Sequence, residues 1–99
     1  MIDQKDLQQK EAELEQLLGE KFGLKRGPLA QRLRKLGRRV PKFVHQAGAV
    51  LVAARQRQGH PKLDRMSDPI AVENAYRVIR DHLKSVDVAE RRKDALLSL

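Results

Sequence analysis

Pro41-Lys42-Phe43-Val44-His45-Gln46-Ala47-Gly48-Ala49-Val50-Leu51-Val52-Ala53-Ala54 is the stretch that decides the fold. Proline fits the first turn of a helix, where its missing N–H has no partner to lose, so a helix starts at Pro41. From Phe43 to Ala54 only His45 and Gln46 are polar, which marks the buried, central helix of a domain. The unbroken run from Ala47 to Ala54 is far short of the roughly 20 residues that span a bilayer. Gly48 and the alanines instead allow neighbouring helices to approach closely. Arg55, Arg57 and the turn Gly59-His60-Pro61 end the helix, with the cations beside the negative end of its dipole.

Working outward toward the N-terminus, Gly27-Pro28 reads as an earlier helix start, and a short helix runs from Pro28 to Leu36 and breaks at Gly37. Leu29, Leu33 and Leu36 share one side of it, and Arg32, Arg34, Lys35 and Arg38 are expected on the opposite half. Before it, Leu7, Leu14, Leu17 and Leu18 recur at helical spacing from Asp3 to Phe22, with Asp6 and Lys10 a favourable pair four apart. Lys10 and Lys21 interrupt a heptad seam, so this acidic helix either rests on its own domain or serves as a homodimer-forming arm. Toward the C-terminus, a loop carries Leu63 and Met66, and Asp68-Pro69 is an N-cap followed by a first-turn proline. The next helix aligns Val72, Ala75, Tyr76, Ile79, Leu83 and Val86. Asp87-Val88-Ala89-Glu90 resembles a capping box that starts a last helix or a continuation with Leu96, Leu97 and Leu99. The expected fold is all-α: a compact bundle of four to five helices around the helix from Pro41. Its expected core is Phe43, Val44, Ala47, Val50, Leu51, Ala54, Val72, Tyr76, Ile79 and Leu83.

With 99 residues the chain has room for one core, so residues 1–99 are read as one domain. The absence of Cys excludes a disulfide scaffold, a thiol nucleophile and Cys-ligated zinc. The start Met1-Ile2-Asp3-Gln4-Lys5-Asp6 is acidic and polar where an export signal needs a basic start and an apolar run, so a cytoplasmic location is expected. Charge divides the chain into an acidic first helix (1–24), a basic block (25–63) and a balanced C-terminal part (64–99). The net charge is +8, and residues 21–63 carry twelve Lys and Arg with no acid at all. Such a block repels itself on compaction, so it must spread over a solvated surface or be met by anions.

Chemistry finds little to work with. His45, His60 and His82 include no pair four apart, so the helical zinc motif is absent, and each of His45 and His82 reads as a structural histidine. Ser67 and Ser85 sit at helix ends, and Arg65 beside Asp64 argues for ion pairing over acid–base roles. Gly19, Gly23 and Gly27 lack the ending of a phosphate loop. The expectation is a non-enzymatic docking domain with no cofactor, metal or small-molecule substrate. Arg32, Arg34, Lys35, Arg38, Arg39 and Lys42 are its expected polyanion-binding residues. A helix-turn-helix reading fails on register, with Leu33 where a small residue is needed and Arg38 where an apolar one is. Its second helix would also be the apolar one, which cannot read base edges. An anionic membrane surface therefore stands first, with sequence-nonspecific nucleic-acid binding as the alternative, and protein binding or dimerisation as a third. Arg91-Arg92-Lys93 before Ala95-Leu96-Leu97-Ser98-Leu99 is the pattern that flanks a spanning helix, and it raises the expectation that the natural chain continues past Leu99 into one.

Overall fold

Asp3 opens the first helix of the computed structural model, which describes residues 3–86: its carboxylate accepts from the Lys5 N–H, closing an N-cap over α1, Gln4–Phe22. Gly23, at φ 72°, ends α1 in the left-handed conformation, and its N–H turns back to the Gly19 carbonyl. Pro28 is the N-cap of α2, Leu29–Leu36, and a 3₁₀ turn follows over Gly37–Arg39. Pro41 precedes α3, Lys42–Arg57. The stretch expected as a plain loop contains a single helical turn, α4, Pro61–Asp64, started by proline at its first position. Asp68 accepts from the Ile70 N–H and caps α5, Pro69–Ser85. No strand occurs among the described residues, and the chain is an all-α bundle around α3. The last helix and the apolar terminus expected after Asp87 lie outside the described residues.

The central α3 packs most extensively on α5, and the edge-on contact of Phe43 with His82 makes the two antiparallel. α1 runs parallel to α5, tied by Lys10 to Glu73 and by the Tyr76 hydroxyl, which donates to Glu13. Leu7, Leu14 and Leu18 are wholly buried, so the first helix rests on its own domain. α2 crosses α3 where Leu33 meets Gly48, whose missing side chain makes the close approach.

Eight of the expected core residues are buried, and Leu51, Ile79, Leu83 and Val44 are the most completely so. Phe43 and Val50 are exposed instead of buried. At 100° per residue they lie about 80–100° around the helix from Leu51, beyond the stripe that α5 and α2 cover. An apolar run that surrounds a helix needs neighbours on every side, and α3 has them on only part of its circumference. Val86 is half-buried at the C-cap of α5 and takes no place in the core. Leu29, Leu33, Leu36 and Val40 complete the core from the α2 side.

Candidate polyanion-binding corner

The corner is built where α2 ends and α3 begins. Leu36 and Val40 are buried and act as two anchors, and between and around them the chain has only outward positions for Lys35, Arg38 and Arg39. Gly37 makes the sharp exit from α2 at φ +51°, a conformation L side chains rarely adopt. His45, from the first turns of α3, fixes this exit: its Nε2 lies 2.6 Å from the Gly37 carbonyl, so the ring nitrogen facing that oxygen donates. The histidine is structural, as its place on the chain implies, and its role is to hold the corner.

Arg34, Lys35, Arg38, Arg39 and Lys42 are all exposed, and among the described residues none has a carboxylate within 4.0 Å. Lys42 occupies the first turn of α3, where no acidic residue and no capping side chain is present. That turn ends in the positive pole of the helix dipole, so the sequence places cations where an anion would be stabilising. Arg32 differs from the other five. Its Nε donates to the Gly27 carbonyl (2.8 Å), one terminal nitrogen to Glu15 O (2.8 Å) and the other to Lys25 O (2.9 Å). The guanidinium is a clamp joining α1, the α1–α2 connection and α2. The angular arithmetic explains why: Arg32 lies about 60° from Leu29, at the border of the apolar stripe and not opposite to it.

A second polar constellation lies between α1 and α5, an open groove of about 340 Å³ lined by Asp6, Gln9, Lys10, Glu13, Glu73 and Tyr76. Its charges are mutually engaged. Burial alone would lower the Lys10 ammonium, but hydrogen bonds to Asp6 and Glu73 outweigh it and raise the pKa above its ordinary value. Glu73 is held below the usual carboxylate range by its bond from Lys10, with Arg77 adding to the effect. Burial pushes the Tyr76 hydroxyl up, and its bond to Glu13 pushes the same way, so the phenol keeps its proton and stays a strut. Arg80 and Lys10 both lie over the Tyr76 ring, at 5.2 and 5.7 Å. Asp64 is buried but does not pair with Arg65, contrary to the expectation; its Oδ1 and the Ser67 Oγ make no hydrogen bond among the described residues. No group of three or more His, Asp and Glu converges as metal ligands among the described residues, and no helix there is long and apolar enough to cross a membrane.

Comparison with known protein families, with curated proteins and with solved structures finds no match for this chain. The functional reading therefore rests on the corner itself.

Proposed function

We propose that this chain is a non-enzymatic docking domain whose α2–α3 corner meets an anionic membrane surface, at the cytoplasmic face of a membrane. The observation that carries the reading is uncompensated charge: Arg34, Lys35, Arg38, Arg39 and Lys42 stand exposed within nine residues, with no carboxylate beside them among the described residues. Like charges in this density oppose folding, and an external anion relieves both their repulsion and the uncapped positive end of α3. Each cation brought to an anionic lipid surface contributes about 1 kcal/mol, so the five together supply about 5 kcal/mol.

Lipid is favoured over nucleic acid by the shape of the corner. Its cations sit on the ends of two elements and on the turn between them, while α3 turns into the core directly behind. The helices exposed there do not suit a major groove: α2 begins with Leu29 and Ala30 where helical readers place polar side chains, and the open side of α3 carries Phe43 and Val50. Sedimentation with anionic and with neutral vesicles, each across a salt series, tests the reading against retention on duplex DNA. The expected result is binding to anionic vesicles only, weakening as salt screens the surface. Retention on DNA alone with a steep salt slope would replace lipid by nucleic acid, and binding to neither would leave the corner a solvated surface.

A further inference from the structure

Phe43 follows Lys42 directly and is 49% exposed, which is unusual for one of only three aromatic residues in a small domain. It is not alone. Val50 is 38% exposed nearly two turns further along α3, and Val78 is 39% exposed on α5. Helix geometry puts these residues on one side of the molecule. On α3, Phe43 and Val50 lie about 140–160° around the axis from Gly48, which is the point where α2 crosses. On α5, Val78 lies about 160° from Tyr76, which is the point where α1 is tied on. The contact between Phe43 and His82, with ring centroids 5.7 Å apart, shows that the two uncovered flanks face the same way. α1 and α2 thus cover one side of the α3–α5 pair, and the other side carries an apolar strip about 10 Å long from Phe43 to Val50.

The strip begins at the cationic corner. Arg38, Arg39 and Lys42 border its Phe43 end within five residues of chain, and Arg57 lies on the same side of α3 nearly two turns past Val50. An exposed aromatic set directly beside a dense group of cations fits a surface whose outer layer is anionic and whose next layer is hydrocarbon. We infer that the α3–α5 flank carrying Phe43, Val50 and Val78 is the side that seats on an anionic bilayer. Phe43 enters the boundary between headgroups and acyl chains while the corner cations pair with lipid phosphates. The geometry is that of an interfacial helix, lying flat with its apolar side a few ångströms into the boundary. This inference rests on the membrane reading and adds to it an orientation and an apolar contribution that salt does not screen.

The chain contains no tryptophan, so a single introduced one reports its own site. Three full-length variants, Phe43→Trp, Val78→Trp and, as a reference on α1, Gln8→Trp, are to be titrated with phosphatidylserine-containing vesicles while binding is followed in parallel by sedimentation. All three positions are exposed, so the fold is retained. The expected result is a blue-shifted emission, quenched by lipid-borne quenchers, at positions 43 and 78 and unchanged emission at position 8. In addition, Phe43→Ser lowers partitioning at fixed salt by about tenfold, in line with the loss of a buried aromatic side chain. Binding with positions 43 and 78 still water-exposed would overturn the orientation and leave the membrane reading intact. Absence of binding would overturn both. Emission already blue-shifted without vesicles would mean that protein covers the flank, by a second copy or another segment, and would also overturn the inference.

Discussion

Arg32 and Lys35 are three residues apart in the same short basic helix, yet the structure gives them different work. Arg32→Ala removes three charge-assisted bonds to carbonyls and should lower stability by about 2–3 kcal/mol in urea denaturation, whereas Lys35→Ala should stay within about 0.5 kcal/mol. Arg32→Lys should recover only part of the loss, because a single ammonium nitrogen cannot reach three carbonyls that are met by three separate guanidinium nitrogens. Nothing in a list of cations distinguishes the two; only the angular position of Arg32 beside the leucine stripe carries the signal. The carboxylates divide in the same way. Glu73 has a folded pKa below its ordinary value of 4.5, chiefly through its bond from Lys10, so its contribution is full above that value and is lost as pH falls through the folded one. Lys10→Met should therefore flatten the loss of stability between about pH 5 and pH 3. Glu11 goes the other way. Burial raises it, with the Arg55 guanidinium 3.9 Å away offsetting only part, so its contribution is present at acid pH and lost as pH rises through the folded value. Glu11→Gln should consequently raise the urea midpoint at pH 7, with the difference closing under acid conditions.

At the scale of elements, the helix starts were legible because proline and aspartate mark them chemically. Asp68 caps α5 and Pro69 begins it, and Pro28 and Pro41 stand at the N-caps of α2 and α3. The single turn α4 was not legible, since four residues show no periodicity. The face of α3 was legible only in part. Its apolar run is long enough to suggest burial all round, and which part remains open depends on where α2 crosses it and α5 packs along it, a tertiary fact. Leu51 lies in the covered part, and Leu51→Ala should cost roughly 2–5 kcal/mol, a change below about 0.5 kcal/mol being incompatible with its position. The crossing of α2 and α3 is tight: a Cβ on Gly48 would meet Leu33 Cδ1 at 2.7 Å. Gly48→Val should destabilise by about 2 kcal/mol or more through overpacking. Leu33→Ala in that background should be less harmful than in the parent, which a double-mutant cycle measures.

For the whole molecule, the charge imbalance was plain in the sequence, because counting acids and bases needs no coordinates. Which cations are free for a partner was not, since it depends on Arg32 turning inward and on Val40 and His45 shaping the corner. The account's central claim is that the position of the cations, and not the net charge of +8, directs docking. Two variants of equal charge separate these. One neutralises Lys35, Arg38, Arg39 and Lys42 to Gln; the other neutralises Lys5, Lys62, Arg65 and Lys84, which are equally exposed and lie elsewhere, so each falls from +8 to +4. In sedimentation with anionic vesicles at one moderate salt concentration, the first should lose about 4 kcal/mol of binding, close to a thousandfold, and the second should lose far less. Equal losses in the two variants would contradict the claim.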